Sequence, residues 1–295
     1  LLTEWKGPYG GVPAFDKMNV ADIKEAIIKG MEMNLEEIDA IANNPEPATF
    51  ENTIEEMERA GAELNRAFTY YGIFSGNMSS PEFREIQGEL APQISEFSSK
   101  ITQNEQLFAR IKAVYDASQT TPLDDDQQRV VELTYKSFEM NGAELSPEQK
   151  EKYAAISKEL SSLYTTFSNN VLHDEENYIT YLTEDQLGGL PDDFVKSAAN
   201  IAAEKGQEGK YAITNSRSSM DPFLTYSTER ELRKQVWTNY YSRGDNGDEY
   251  DNNELIAEIL RLRREKVEIL GYSNYAEWRL QNRMAKTPEN AIGLM

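Results

Sequence analysis

Residues 20–41 read VADIKEAIIKGMEMNLEEIDAI, and this stretch decides the kind of fold that the chain adopts. Its apolar side chains recur at spacings of three and four residues, at Ile23, Ile27, Met31, Leu35 and Ile38. That spacing places them on one face of an α-helix. Because the prolines at 45 and 47 cannot continue a helix, the stretch predicts one amphipathic helix that ends before them.

The same period recurs along most of the chain and predicts a mainly α-helical protein. Capping residues mark the expected helix starts, which are Thr49, Ser80 with Pro81, the acids at 124–126, and the capping box of Ser146 and Gln149. By periodicity, the second helix reaches Phe68, and the third reaches Phe108 after a kink at Pro92. Further helices are expected at about 228–242, 253–270 and 275–282.

The pattern changes near residue 176, where β-branched and aromatic residues predict short strands. The candidates are residues 178–183 (YITYLT), 211–214 (YAIT) and 223–226 (FLTY). We therefore predict a multi-helix lobe with a small sheet or hairpin embedded at about 178–226. The matching domain prediction is an N-terminal helical lobe at 1–174, a small mixed α/β segment at 175–226, and a third segment at 227–295.

The charge and composition of the chain restrict its partners. It has 51 acids against 30 bases and a net charge of -21, which argues against nucleic acid because phosphates need clustered cations. No apolar run approaches the about 18 residues that span a bilayer, so no membrane span is predicted. The lack of cysteine excludes disulfides, thiol catalysis and thiolate metal sites.

The single histidine, His173, begins the run HDEEN at 173–177, which superficially resembles a zinc-binding helix. Such a helix needs His, then Glu, then a second His four residues after the first, so that both imidazoles face one metal ion. Here Asp174 and Asn177 occupy the second and fifth positions. A two-His zinc site is therefore impossible in this chain, and we expect His173 to be a helix-end residue that interacts with the last carbonyls.

Two other sets of residues are candidates for chemistry. The loop RGDNGD at 243–248 fails as a calcium loop because its acids do not alternate, and it predicts a turn between two helices. The paired acids Glu36–Glu37 and Glu55–Glu56 could act in acid–base catalysis. In a chain with 51 acids they are expected on solvated helix faces. We predict no catalytic and no metal-binding residue in this chain, and we leave its substrate-binding residues unassigned.

Five segments, in order along the chain, carry a family resemblance. They are 8–15 (PYGGVPAF), 47–54 (PATFENTI), 128–172, 255–256 with 262–266 (LI and LRREK), and 270–278 with 284–289 (LGYSNYAEW and MAKTPE). Together they resemble the thimet oligopeptidase/neurolysin family of zinc metallopeptidases. The sequence of these segments is most similar to the bacterial peptidyl-dipeptidase and oligopeptidase A branch of that family. No single segment is diagnostic, but five in the family's order cover nearly the whole chain.

The resemblance implies two mostly helical lobes around a deep channel that admits unfolded oligopeptides. It also implies a zinc ion held by a His-Glu-x-x-His helix and a later glutamate, all in the second half of the family's proteins. By resemblance, this chain is the N-terminal part of a peptidase, most readily a peptidyl-dipeptidase that removes C-terminal dipeptides. It would form one wall of the channel and, at 227–295, the first helices of the catalytic region, cut short. Its partners would be oligopeptides and the missing catalytic half. Alone, it is expected to hydrolyse nothing and to bind no zinc.

The two ends of the chain favour the expectation of a partial sequence. The chain begins at Leu1 without an initiator Met, so a removed leader or a trimmed terminus is expected, in the bacterial cytoplasm or periplasm. Thr287 and Pro288 open a helix shortly before Met295. The segment after about Thr228 is then expected to expose apolar surface. The alternative hypothesis is a free-standing acidic helical module that binds peptides or proteins without catalysis, whose reading frame would stop near Met295.

Overall fold

The computed structural model describes residues 1–7, 11–121 and 123–295, and it is mainly α-helical with a small hairpin, as predicted. The predicted family segment at 8–15 lies partly outside the described residues. The elements in chain order are α1 (Asp22–Ala42), α2 (Glu56–Arg59), α3 (Ala62–Asn77), α4 (Pro81–Thr102), α5 (Glu105–Ser118), α6 (Asp125–Met140), α7 (Pro147–Asn177), β1 (Thr180–Leu182), α8 (Asp192–Glu204), β2 (Tyr211–Ile213), α9 (Arg217–Tyr226), α10 (Arg230–Tyr241), α11 (Asn253–Ile269), α12 (Tyr275–Leu280) and α13 (Pro288–Leu294).

The chain packs as two compact units. The first comprises Leu1–Ser162 and Leu260–Met295, and the second comprises Leu163–Ile259. The three-segment division predicted from the sequence stays a prediction. In the described part of the chain, no helix combines the length and apolar character needed to cross a membrane.

The apolar stripe predicted on α1 is buried in the first unit, apart from the half-buried Leu35, and contributes to two core clusters. Its first half packs against α3 and α4, in a cluster of Ile23, Ile27, Met31, Leu64, Ala67, Phe74, Phe83 and Leu90. Its second half packs against α5 and α6, in a cluster that includes Ile38, Ile41, Leu107, Ile111, Val131 and Phe138. Gly30 allows α1 and α3 to approach closely, because a Cβ there would lie 3.0 Å from the Cα of Leu64. Burying each of these large apolar side chains contributes about 1.5–3 kcal/mol.

The second predicted helix is wrong as a single element, because it breaks at Gly61. A π-helical turn (Phe50–Glu55) leads into α2, and α3 begins after the glycine. Gly61 has a φ of 79°, a left-handed conformation that glycine adopts without strain. Its N–H donates to the Glu37 carboxylate on α1 at 2.7 Å. The predicted cap is present, since the Thr49 hydroxyl accepts a hydrogen bond from the Asn52 N–H at 3.2 Å.

The third predicted helix also ends before Phe108. The helix α4 runs through Pro92, and Asn104 then caps α5 by accepting a hydrogen bond from the Leu107 N–H at 2.9 Å. The apolar spacing continues across the break because Ile101 and Phe108 both pack in the core cluster formed with α5 and α6. Periodicity therefore identified the buried residues correctly but not the helix boundary.

Caps at the later helices follow the sequence pattern. The Ser146 hydroxyl accepts from the Gln149 N–H at 3.3 Å, and the Gln149 side chain accepts from the Ser146 N–H at 3.1 Å, so the capping box at α7 is confirmed. Asp124 and Gln127 form the same reciprocal pair at α6. A cap of this kind contributes about 1 kcal/mol to helix stability.

The hairpin lies in the second unit. The strands β1 and β2 pair antiparallel, with Thr180 opposite Ile213. Around them, α8, α9 and α10 enclose a core of Leu182, Ala198, Ile213, Met220, Phe223 and Val236. The third strand candidate, residues 223–226, is wrong because these residues belong to α9. Their strand-like composition reflects the burial of Phe223 in this core rather than pairing with a neighbouring strand.

Candidate functional site

The zinc-like run at the end of α7 lies in the second unit, where its histidine packs against a tyrosine. The His173 ring stacks on the Tyr250 ring, with centroids 3.4 Å apart and 11° between the planes. Its Nδ1 lies 3.4 Å from an Asp174 carboxylate oxygen, and the Asn177 amide donates to the His173 carbonyl at 2.8 Å. The imidazole is thus part of the packing between the end of α7 and the loop that follows α10.

Asp174 is fully buried, and its carboxylate holds that loop. Its Oδ2 accepts hydrogen bonds from the Gly244 N–H and from the Asn246 amide, both at 2.8 Å. A buried carboxylate is stable only when such donors satisfy it. The two motifs that the sequence suggested separately therefore form one structural feature. The zinc-like run provides the acceptor, and the RGDNGD loop provides the donors.

The loop has the shape of the predicted turn between two helices. Gly244 has a φ of 71°, and a Cβ there would lie 2.6 Å from the Asn252 side-chain nitrogen. The Asn252 N–H donates to the Gly244 carbonyl at 2.7 Å, and its amide donates to the Phe167 carbonyl at 3.2 Å. Asp251 accepts hydrogen bonds from two backbone N–H groups, which lower the pKa of its carboxyl. Asp248 likewise accepts from the Tyr250 N–H at 2.9 Å, and Asp245 accepts from the Asn253 side-chain amide at 2.6 Å, so these acids stabilise the loop itself.

Two further charged residues of the motifs pair with each other. The Arg243 guanidinium lies 2.7 Å from the Glu175 carboxylate, and its carbon lies 3.9 Å from the centroid of the Tyr240 ring. Arg243 also donates from Nε to the Tyr240 carbonyl at 3.0 Å. The next residue of the run, Glu176, is exposed. These contacts fasten the start of the loop to the end of α7.

One pair of acids lies in the second half of α1, and the other lies where the π-helical turn meets α2. Glu36 and Glu56 are exposed, as predicted, whereas Glu37 and Glu55 are half-buried. Glu37 accepts the Gly61 N–H, and Glu55 pairs with Arg59 at 2.5 Å. Glu37 and Glu56 border a cavity of about 580 Å³ that Glu51, Asn52 and Arg59 also line. We assign no chemistry to this cavity. Glu37 already accepts the hydrogen bond at the helix break before α3, and an acidic cluster alone does not define a site.

The described residues contain no group of three His, Cys, Asp or Glu side chains placed to hold a metal ion. A catalytic zinc takes three protein ligands and leaves one position for water. The His173 ring is stacked on Tyr250, and the Asp174 carboxylate is committed to two N–H donors. These residues do not fit a catalytic zinc. The prediction that this chain provides no metal ligand stays a prediction.

Lys266 in the first unit is a half-buried charge that the sequence did not reveal. Its Nζ lies 4.5 Å from the Tyr153 ring centroid and 5.7 Å from the Trp278 ring centroid. Burial lowers the pKa of this amine to about 8. Trp278 is itself fixed by donating from Nε1 to the Met140 carbonyl at 2.9 Å. Tyr153 is far from Lys266 and Trp278 along the sequence, so only the packing of the chain brings the three residues together.

The helix α10 carries an exposed face that the sequence reading also missed. Arg230, Lys234, Trp237 and Tyr241 follow one another at spacings of three and four, and we call these four residues the basic-aromatic stripe. Trp237 is 52% exposed and Tyr241 is 64% exposed, with ring centroids 5.3 Å apart. A cavity of about 290 Å³ beside the stripe is lined by Leu224, Arg230, Glu231, Arg233, Lys234 and Trp237. The signal was the helical period itself, applied to exposed rather than buried residues.

Comparison with protein families matches two long stretches of the chain. Residues 24–150 match the family described as Neurolysin/Thimet oligopeptidase, N-terminal domain. Residues 223–295 match Peptidase family M3, and the two matches together cover more than half of the chain. The chain belongs to peptidase family M3. The resemblance drawn from the five sequence segments is thereby confirmed.

Curated relatives of this family M3 chain are peptidases by name. It is 28% identical over 296 residues to dipeptidyl carboxypeptidase of Salmonella typhimurium, an alignment that covers 100% of this chain and 43% of that protein. It is 28% identical over 289 residues to oligopeptidase A of Escherichia coli, covering 96% of this chain and 42% of that protein. It is 29% identical over 293 residues to organellar oligopeptidase A of Arabidopsis thaliana, covering 96% and 36%.

The family M3 chain spans less than half the length of these relatives. The region that it matches is the N-terminal part of each.

Proposed function

We propose that this chain is the N-terminal part of a zinc-dependent oligopeptidase, a peptidyl-dipeptidase that releases C-terminal dipeptides. The observation that carries the proposal is the alignment of the whole chain with dipeptidyl carboxypeptidase, at 28% identity over 43% of that protein's length. Oligopeptidase A aligns at a similar identity. The choice between dipeptide release and internal cleavage therefore rests on product analysis.

In this proposal the chain forms one wall of a channel for oligopeptides, and its partner is the catalytic part of the same polypeptide. A zinc ion held there would polarise the scissile carbonyl and activate water. The contacts of the candidate residues support a structural role for this part. His173 packs on Tyr250, and Asp174 holds the loop after α10. We extend the proposal to the compartment, the bacterial cytoplasm or periplasm, which fractionation of the source cells would test.

The first experiment compares the 295-residue chain with the full-length protein encoded by the same gene. Zinc content is measured by mass spectrometry, and hydrolysis is followed with a fluorescence-quenched oligopeptide. We expect about one zinc per full-length molecule, hydrolysis that a chelator abolishes, and neither property in the 295-residue chain. Chelator-sensitive hydrolysis by the 295-residue chain would contradict its assignment as a channel wall. A reading frame that stops near Met295 would instead favour the free-standing binding module.

The second experiment identifies the products of the full-length enzyme. A peptide with a free C-terminal carboxylate is compared with the same peptide carrying a C-terminal amide. A peptidyl-dipeptidase must recognise the terminal carboxylate, so we expect successive dipeptides from the first peptide and strongly reduced cleavage of the second. Equal internal cleavage of both peptides would assign the protein to the oligopeptidase type.

A further inference from the structure

The basic-aromatic stripe on α10 differs in charge from the chain as a whole. The chain has a net charge of -21, yet the stripe combines two cations with two aromatic rings. Among the described residues, no carboxylate lies within ion-pair distance of Arg230 or Lys234. Most other lysines and arginines on the helices of this chain pair with an acid three or four residues away, as Lys152 does with Glu148. The stripe therefore offers charges that are free to meet acids from outside the described chain.

The opposite face of α10 is already occupied. Val236 is buried in the core of the second unit, where Phe223 and Met220 also lie. The exposed face bears Trp237 and Tyr241, which are the residue types most enriched at the centre of protein interfaces. The solvent-facing side of α10 thus has the composition of an interface.

We propose that the basic-aromatic stripe is the docking surface for the part of the same polypeptide that lies outside residues 1–295. The occupant is an apolar segment that carries acidic side chains, which would pair with Arg230 and Lys234. This inference rests on the proposed function, because it needs a longer protein. More than half of the length of dipeptidyl carboxypeptidase lies outside the alignment. A protein of that length would have enough additional residues to cover the stripe.

A free oligopeptide is the competing occupant of the stripe. A substrate would cover the two rings only while bound, and they would return to water after each turnover. A segment of the same chain has a high effective concentration and covers them at all times. Exposures of 52% and 64% for two large adjacent rings favour the permanent partner.

The test measures oxidation of Trp237 and Tyr241 by hydroxyl radicals, resolved by peptide mass spectrometry, in the 295-residue chain and in the full-length protein. We expect oxidation of both residues to fall about fivefold in the full-length protein, because an interface core excludes water. Equal oxidation in the two proteins would overturn the proposal. Protection that appears only after an acidic oligopeptide is added would overturn it in favour of a substrate site.

Charge reversal supplies the matched comparison within the full-length protein. We expect Lys234→Glu to raise the oxidation of Trp237 back toward its level in the 295-residue chain. The control is Lys196→Glu on α8, whose side chain is 75% exposed, and it should leave Trp237 protected. Equal oxidation of Trp237 in the two variants would count against a docking role for Lys234.

Zinc content and hydrolysis of the same full-length samples separate the two proposals. An active, zinc-loaded protein with an exposed stripe overturns the docking surface and leaves the proposed function standing. A protected stripe in a full-length protein without zinc or activity overturns the proposed function and leaves the docking surface standing.

Discussion

Asp174 holds two parts of the chain that are 70 residues apart in sequence. Its carboxylate has no exposure to solvent and accepts hydrogen bonds from the Gly244 N–H and the Asn246 amide. In an interior of low dielectric constant, losing one member of such a network leaves the others without partners. The side chain therefore contributes more to stability than an exposed acid does.

We expect Asp174→Ala to lower the free energy of unfolding by about 2–4 kcal/mol, because the buried Gly244 N–H loses its acceptor and a small cavity forms. Urea unfolding followed by circular dichroism measures this change. The control is Asp193→Ala, which removes a side chain that is 98% exposed and pairs with Lys196. That change should stay within about 0.5 kcal/mol of the unchanged protein. Similar losses in the two variants would contradict the role given to Asp174.

Lys266 makes stability depend on pH. Burial lowers its pKa from 10.5 to about 8 in the folded chain. Between these values the unfolded chain binds more protons, so this residue's contribution to stability rises as pH increases from 8 toward 10. We expect Lys266→Met to remove about 1–2 kcal/mol of that rise between pH 8 and 9.5, measured by urea unfolding at each pH. The faces of Tyr153 and Trp278 favour the charged amine and oppose the effect of burial. Parallel pH profiles for the two proteins would contradict the lowered pKa.

At the scale of elements, a glycine turn before α8 closes against the end of α9. The Thr228 N–H donates to the Gly188 carbonyl at 2.9 Å. Gly189 has a φ of 82°, and a Cβ there would lie 2.1 Å from the Tyr226 carbonyl oxygen. The turn and the end of α9 can approach this closely only because glycine has no side chain.

We expect Gly189→Ala to destabilise the chain by about 3 kcal/mol or more, because the left-handed backbone and the clash with the Tyr226 carbonyl act together. Gly206→Ala is the matched control. Its φ of 72° is similar, but a Cβ there would meet no atom within 4 Å. The control should cost about 1 kcal/mol, the penalty of the backbone conformation alone. Thermal unfolding of both variants measures the difference, and equal costs would show that the close approach is absent.

At the scale of the whole molecule, the charge of -21 acts against the folded state. Like charges repel more strongly in the compact chain than in the expanded one. The pairs that oppose this repulsion are mostly exposed, such as Lys152 with Glu148 and Lys112 with Asp116, and exposed pairs contribute little. Salt that screens all charges should therefore remove more repulsion than attraction.

We expect the Tm of the 295-residue chain to rise by about 2–5 °C when sodium chloride increases from about 0.01 M to about 0.1 M, as the Debye length falls from about 30 Å to about 10 Å. Circular dichroism at fixed pH 7.5 measures the shift. A neutral sugar at the same osmolality is the control and should cause a smaller change. A Tm that falls with salt would show that the ion pairs outweigh the net repulsion.

Local interactions account for what could be predicted from the sequence. The stripe of residues 20–41 and the capping box of Ser146 and Gln149 depend on residues three and four apart, so they are readable along the chain. The family could also be recognised from the sequence, because the five segments occur in the order that is typical of its members. Helix boundaries could not all be predicted from the sequence, because the break at Gly61 depends on a hydrogen bond to Glu37 of another helix.

The sequence by itself determined the helical class, the main helix caps and the membership of family M3. Only the tertiary structure decided what the suggested motifs do, because their partners are distant along the chain. Asp174 looked like part of a failed zinc motif until Gly244 and Asn246 were found at its carboxylate. Residues 223–226 were predicted as a strand, but they form the end of α9, where Phe223 packs in the core of the second unit. Burial and long-range hydrogen bonds depend on how segments pack, which a local pattern does not encode.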